Sequence, residues 1–274
     1  IERKYNQYLE GKNGSKTIEV NASGQPVGYV GGTPAVSGNN IRLTLDANLQ
    51  KAAEDAIDSQ VKILAKSGIY ATGASAVAID PNSGAVLAMV SEPSYDPNRF
   101  SKGISTADWN QIINNKNHPM QNRTIASMYP PGSLFKVVTG AAALEAKVMS
   151  PTERIFDSGK HWLVDKRNAQ GEAFGWIDFY EALEKSDNVY FYEMGRRLGI
   201  DKLSQMAREF GLGKPTGIDL AGEADGNVAS EEYKKKVFDQ DWYLGETMDS
   251  AIGQSYTLTT PIQMAMVYSS IANG

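Results

Sequence analysis

The spacing of hydrophobic and polar residues changes near residue 45. Before it, short alternating runs such as 17–20 stand among glycines and prolines, a pattern typical of short strands and turns. From Asp46 onward the apolar residues recur at helical spacing, and Asp46 is placed to cap that helix. We therefore predict a small β-rich domain over residues 1–45 and a second domain over 46–274.

In the second domain, the sequence pattern predicts a mixture of strands and helices. Two apolar runs, 74–79 and 85–90, flank a loop with Pro, Asn and Gly, which predicts a β-hairpin. Residues 133–144 favour a helix that is apolar almost all round and therefore buried. Further helical patterns cover residues 178–185, 189–198, 201–210 and 261–271.

Composition excludes several classes of protein. A net charge of −5 over 274 residues argues against nucleic-acid binding, which needs a surplus of clustered Lys and Arg. With no cysteine and only two histidines, we expect neither a metal site nor a cofactor. The sequence contains no apolar run of about 18 residues, the length needed to span a membrane. The chain opens without methionine inside a patterned segment, so we interpret it as part of a longer protein.

Ser133 and Lys136 form a candidate nucleophile and base. A serine needs a base to take its proton, and a lysine can be that base only when it is neutral. Lys136 is the one charged residue between Ser133 and Leu144, so burial is expected to lower its pKa. If the helix begins at Ser133, after Pro131 and Gly132, the two side chains share a face and the Ser133 N–H is free to bind an oxyanion.

The same spacing occurs at Ser59 and Lys62, so spacing alone is weak support. That pair lies at the polar end of an amphipathic helix, where Lys62 would be solvated and charged, and we interpret it as surface. The apolar surroundings of Lys136 distinguish the two pairs.

Ser186 and Asn188 are candidates for a second part of the site. A hydroxyl can relay a proton, and a carboxamide can bond both groups of a peptide unit. They fall between two predicted helices, although a helix cap explains the same residues equally well. A similar triplet at residues 37–39 is interpreted as a turn.

These motifs resemble the class B penicillin-binding proteins, monofunctional transpeptidases of peptidoglycan. The resemblance runs along nearly the whole chain, and its opening segment is most similar to the cell-elongation branch, the penicillin-binding protein 2 group. It rests on Tyr129-Pro130-Pro131-Gly132-Ser133-Leu134-Phe135-Lys136, Ser186-Asp187-Asn188-Val189-Tyr190-Phe191-Tyr192, Asn122-Arg123-Thr124, residues 211–220 and Ala251-Ile252-Gly253-Gln254.

The resemblance implies a function and a role for each candidate. Ser133 would be acylated by a D-Ala-D-Ala stem peptide, Lys136 would be the base, Ser186 the proton relay and Asn188 a substrate ligand. β-Lactams would be trapped at Ser133. The expected partners are a membrane glycosyltransferase and other elongation proteins that maintain cell shape, on the extracytoplasmic face of the bacterial membrane, with an anchor outside this chain.

The resemblance also implies a fold and shows one departure. The expected α/β (α+β) fold has an antiparallel sheet flanked by helices, here without its C-terminal strands, and residues 1–45 are the remnant of a pedestal domain. The family's third motif, Lys-Thr-Gly or Lys-Ser-Gly, does not follow Asn188. Lys66-Ser67-Gly68 has the letters but precedes Ser133, so we interpret it as coincidence. We therefore expect this chain alone to be impaired or inactive.

Two alternatives remain open from the sequence. One is a serine β-lactamase or β-lactam sensor on the same fold, although no residue is nominated as the extra base that hydrolysis would need. The other is a non-catalytic scaffold module of a wall-synthesis complex. Labelling with fluorescent penicillin distinguishes them, because it reports stable acylation, turnover or no reaction.

Overall fold

Two units of unequal size make up the chain. The computed structural model describes residues 1–101 and 103–274. The smaller unit contains residues 1–44 with 218–221, and the larger contains 45–217 with 222–274. The grouping of segment 218–221 with the smaller unit was not predicted. Among the described residues, no helix combines the length and the apolar character needed to cross a membrane.

The smaller unit has one helix and one hairpin. Helix α1 (Glu2–Leu9) precedes strands β1 (Ser15–Val20) and β2 (Pro26–Thr33), which pair antiparallel with two register shifts. The hairpin matches the strands and turns expected here, whereas α1 was not predicted. Helix α1 has only eight residues and buries none of them.

The larger unit opens with a long helix packed on a hairpin. Asp46 caps α2 (Ala47–Lys66) by accepting hydrogen bonds from the N–H groups of its first turn, as predicted. Strands β3 (Ala74–Ile79) and β4 (Val86–Glu92) form the predicted antiparallel hairpin. The Gln50 side chain joins helix to sheet, because it accepts from Met89 N at 2.8 Å and donates to Met89 O at 3.1 Å.

Helices and one further antiparallel strand pair complete this unit, which confirms the predicted α/β (α+β) class. The sheets of the described residues each have two strands. The remaining elements are α3 (Thr106–Ile113), α4 (Arg123–Ala126), α5 (Lys136–Glu145), β5 (Ile155–Asp157), β6 (Gly175–Ile177), α6 (Phe179–Glu184), α7 (Asn188–Leu198), α8 (Ile200–Glu209), α9 (Glu231–Phe238), α10 (Leu244–Ala251) and α11 (Pro261–Asn273). Strands β5 and β6 pair antiparallel. Neither these strands nor α9 and α10 were predicted from the sequence.

Helix α7 lies at the centre of the core, packed against α5, α8 and α10. Tyr190, Phe191 and Met194 on this helix are fully buried. At Gly195 the approach to α10 is so close that a Cβ atom would lie 2.7 Å from the Cβ of Ala251. Because α7 is packed on several sides, its first turn offers a rigid platform for side chains.

Ion pairs hold the other end of α7. Burial alone would raise the pKa of Glu193, but hydrogen bonds from Arg196, His161 and Arg197 hold it well below its usual range. The donor–acceptor distances are 2.7 Å from Arg196, 3.2 Å from His161 and 2.8 Å from Arg197. Arg196 and Arg197 lie on α7 itself, whereas His161 lies outside it, and Arg197 also pairs with Glu153 at 2.8 Å. The contacts with His161 and Glu153 therefore join this part of α7 to neighbouring segments.

Candidate active site

A tight turn presents Ser133 at the surface. Helical structure begins with a 3₁₀ turn, Gly132–Phe135, and becomes α-helical only at Lys136. This differs from the single helix expected from Ser133, because Gly132 has a positive φ of 57° and its N–H donates to Gly253 O at 2.9 Å. Ser133 is exposed. In the first turn of a helix its N–H has no intrahelical acceptor.

Lys136 begins α5 and is 1% exposed. Its Nζ donates to Ser186 O at 2.6 Å, Ser186 Oγ at 3.1 Å and Asn188 Oδ1 at 2.7 Å. Ser133 Oγ is not among its partners in the described part of the chain, so the structure joins the candidate base to the second motif and not directly to the candidate nucleophile. Burial lowers the pKa of Lys136 to about 8, although the negative charge of Asp187 acts in the opposite direction.

Ser186 and Asn188 occupy the junction between α6 and α7. Ser186 has a φ of 54°, a left-handed conformation that is uncommon outside glycine. The Asp187 N–H donates to Ala182 O at 2.9 Å, and the Asp187 side chain caps α7 by accepting from Tyr190 N at 2.9 Å. The cap and the site are therefore not alternatives, because Asp187 forms the cap while its two neighbours bond to Lys136.

Asn168, which was not predicted from the sequence, supports the first turn of α7. Its Oδ1 accepts from Asn188 N at 2.8 Å and Val189 N at 3.1 Å. Its Nδ2 donates to Asp157 Oδ2 at 2.8 Å and to Glu172 O at 3.1 Å. The residue lies in an irregular segment, where no periodicity or motif marks it, so no signal in a single sequence identifies it.

One cavity of about 260 Å³ brings the candidates together. Ser133, Ser186, Asn188 and Asn168 all line it. The other lining residues are Ala169, Glu172, Phe174, Lys185, Ile252 and Gln254. Lys136 lies behind Ser186 and Asn188, away from solvent. The cavity thus offers a hydroxyl nucleophile, a second hydroxyl and a carboxamide, with a buried amine bonded to the last two.

The look-alike motifs lie elsewhere. Ser59 and Lys62 are exposed on α2, and Lys66-Ser67-Gly68 forms the C-terminal end of that helix, not a strand. Residues 37–39 belong to the smaller unit. Within residues 1–101 and 103–274, no cluster of three metal-ligating side chains was found.

The fold and the site correspond to a known family. Residues 74–274 match the penicillin binding protein transpeptidase domain, and residues 1–43 match the penicillin-binding protein dimerisation domain. The first match covers well over half of the chain. The chain therefore belongs to the penicillin-binding protein transpeptidase family, as predicted.

Named relatives confirm the predicted resemblance to the penicillin-binding protein 2 branch. The peptidoglycan D,D-transpeptidase MrdA of Escherichia coli K12 is 39% identical over 97% of this chain, which covers 41% of that protein. Pseudomonas aeruginosa PBP2, solved with WCK 5153, is 39% identical with a TM-score of 0.77, covering 87% of this chain and 52% of that one. Helicobacter pylori PBP2, solved with MreC, is 33% identical with a TM-score of 0.81, covering 96% of this chain and 48% of that one. The chain thus spans about two fifths of the MrdA relative.

Proposed function

We propose that this chain contributes the acyl-transferring site of a peptidoglycan D,D-transpeptidase, with Ser133 as the residue that carries the acyl group. The observation that supports this most strongly is the buried Lys136 bonded to Ser186 and Asn188 beside the cavity that Ser133 lines. A lysine whose pKa is lowered to about 8 is neutral in a useful fraction of molecules near neutral pH.

In the acylation step, Ser133 Oγ attacks the carbonyl carbon between the two D-alanines of a stem peptide while Lys136 accepts the hydroxyl proton. The carbonyl oxygen becomes an oxyanion, which the Ser133 N–H stabilises. The C–N bond then breaks, Ser186 passes a proton to the departing amine, and the last D-alanine leaves. Asn188 holds the peptide amide. An ester now joins Ser133 to the rest of the peptide.

In the transfer step, an amine from a neighbouring strand attacks this ester. The new amide is the cross-link, and the proton from the amine returns to Ser133 Oγ through the same side chains. A β-lactam enters the same path, but its leaving amine stays tethered to the acyl group. Its ester with Ser133 is therefore long-lived.

The rate is expected to depend on residues that this chain does not supply. No Lys-Thr-Gly or Lys-Ser-Gly follows Asn188 in residues 189–274. In the family, a strand with this motif lines the site and provides a second oxyanion donor. Loss of one such donor typically costs about 10² to 10³ in rate. We therefore propose that this chain alone acylates slowly.

Partners and location follow from the same proposal. The Helicobacter pylori relative solved with MreC supports a place in a wall-synthesis assembly. We propose that the encoded protein works there with a membrane glycosyltransferase, on the extracytoplasmic side of the bacterial membrane. Stem peptides ending in D-Ala-D-Ala would be its substrates.

Labelling with fluorescent penicillin tests the function. The chain and the full encoded protein are expected to gain one stable label per molecule, and Ser133→Ala should abolish it. Ser59→Ala, which alters the exposed serine of the look-alike pair, is the matched control and should label normally. Rapid loss of the label would favour a β-lactamase or sensor. Absence of labelling in the full encoded protein would favour a scaffold module.

A further inference from the structure

Asp187 contains a buried oxygen without a hydrogen-bond partner. The residue is 0% exposed. Its Oδ1 accepts from Tyr190 N at 2.9 Å, whereas Oδ2 has no partner among the described residues. Leaving a buried carboxylate oxygen unpaired is costly, so such an atom calls for an explanation.

Asp187 interacts with a second buried carboxyl group, Asp157 at the end of β5, which is 1% exposed. Asp157 Oδ1 accepts from Gly159 N at 2.7 Å, and Oδ2 accepts from Asn168 Nδ2 at 2.8 Å and Phe174 N at 2.9 Å. Three N–H groups thus donate to Asp157, which is the bonding pattern of an ionised carboxylate. Asp157 therefore has no proton to donate to Asp187, but it can accept a proton from Asp187.

The environment favours a proton on Asp187. Burial, and then the charge on Asp157, raise the pKa of Asp187 to about 6. A proton on Oδ2 would give this oxygen a partner, because the hydroxyl could donate to Asp157. A carboxylate pair that shares one proton avoids placing two like charges together in a buried site.

The negative charge of Asp187 acts on Lys136. Its Nζ bonds to Ser186 O and Asn188 Oδ1, which lie immediately before and after Asp187 in the chain. The anionic form of Asp187 favours the charged form of Lys136. Removing the Asp187 charge therefore makes Lys136 release its proton more readily.

Other charged groups on elements around α7 have partners of their own. On α6, Glu181 pairs with Arg154 at 3.2 Å, whereas Glu184 and the adjacent Lys185 are exposed to solvent. On α10, Asp249 pairs with Lys166 and Glu246 pairs with Lys234. The residues of α8 that are buried in the core, Ile200, Leu203, Ser204 and Ala207, carry no charge. Among the groups named, Asp157 on β5 and Lys136 on α5 are the ones that interact with Asp187.

We propose that Asp157 and Asp187 take up one proton between them as the pH falls, and that the presence of this proton sets how readily Lys136 gives up its own. Asp187 is then a positioning residue that acts through Lys136 and does not touch the substrate. As the pH falls, Asp187 gains its proton and the attraction that keeps Lys136 charged disappears. Part of the Lys136 population therefore stays neutral at a lower pH than it would if Asp187 kept its negative charge at every pH.

The variant Asp187→Asn tests this directly. Its amide keeps an oxygen to cap Tyr190 N and gives an N–H that can donate to Asp157, so it imitates the protonated state. With ¹³C-labelled lysine, the NMR titration midpoint of Lys136, identified by its loss in Lys136→Met, should fall by about one pH unit. Asp249→Asn removes a charge in the same unit that pairs with Lys166, and it should leave the midpoint in place. An unchanged or raised midpoint in Asp187→Asn overturns the proposal.

A second measurement needs no variant. In the native chain with ¹³C-labelled aspartate, the Asp187 carboxyl should titrate near pH 6. Titration at the ordinary value of about 3.9 overturns the proposal even if Asp187→Asn fails to fold.

The consequence for catalysis rests on the proposed function. If Lys136 is the base, the acidic limb of penicillin acylation against pH should move to lower pH in Asp187→Asn, so that acylation at pH 6 becomes faster than in the native chain. A purely structural role would lower the rate equally at every pH. A shifted lysine midpoint without labelling of any form would refute the transferase but keep the proton pair. Normal labelling with an unshifted lysine midpoint would refute the proton pair but keep the transferase.

Discussion

Replacing Lys136 by methionine is expected to lower the second-order rate constant of penicillin acylation by about 10³-fold, the typical contribution of a general base. Methionine keeps an unbranched apolar stem in a site that is 1% exposed, so the core around α5 should remain packed. It removes the amine that bonds to Ser186 and Asn188. The measurement is the rate of fluorescent penicillin incorporation at several concentrations, at pH 8.

The matched control is Lys62→Met. Lys62 stands three residues after Ser59, as Lys136 does after Ser133, but it is exposed on α2. Its replacement should change the rate less than twofold. A loss below tenfold in Lys136→Met, with the fold intact by circular dichroism, would show that another group takes the serine proton.

A single methyl group at Gly253 is expected to disturb the Ser133 turn. A Cβ atom there would lie 2.2 Å from Gly132 O and 2.7 Å from Phe135 Cβ, and the residue has a φ of 71°. The Gly253 carbonyl also accepts the Gly132 N–H. Gly253→Ala should therefore cost about 2–4 kcal/mol of unfolding free energy from backbone strain and overpacking, and should slow acylation at least tenfold.

Gly211→Ala separates the two causes. Gly211 has a φ of 86°, but a Cβ atom there meets nothing within 4 Å. This control should cost only the strain of the left-handed backbone, about 1–2 kcal/mol, and leave acylation unchanged. Urea unfolding gives the free energies. Equal acylation by Gly253→Ala and Gly211→Ala would mean that the contact with Gly132 does not position the nucleophile.

Local patterns predicted part of the fold. The hairpin of β3 and β4 and the capped helix α2 depend on neighbours in sequence, namely turn residues, alternation and an N-cap, so one sequence contains enough information for them. The burial of Lys136 was predictable for the same reason. A helix that is apolar almost all round is itself buried, so a single charged residue within it is buried too.

The missing parts depend on contacts between distant segments. The 3₁₀ start of the Ser133 helix is set by Gly253, more than a hundred residues away, and the bonds of Asn168 with Asp157 and Asn188 join three separate elements. No spacing rule connects such residues. For the same reason, the sequence suggested that Lys136 meets Ser133, whereas the hydrogen bonds place its amine on Ser186 and Asn188.

Peptide mapping of the penicillin adduct by mass spectrometry tests the central claim most directly. Ring opening loses no atoms, so the protein should gain the full mass of one penicillin, and fragmentation should place that mass on Ser133. The adduct should be absent from Ser133→Ala treated in the same way. An adduct on a different residue, or one that persists in Ser133→Ala, would contradict the assignment of Ser133 as the acylated nucleophile.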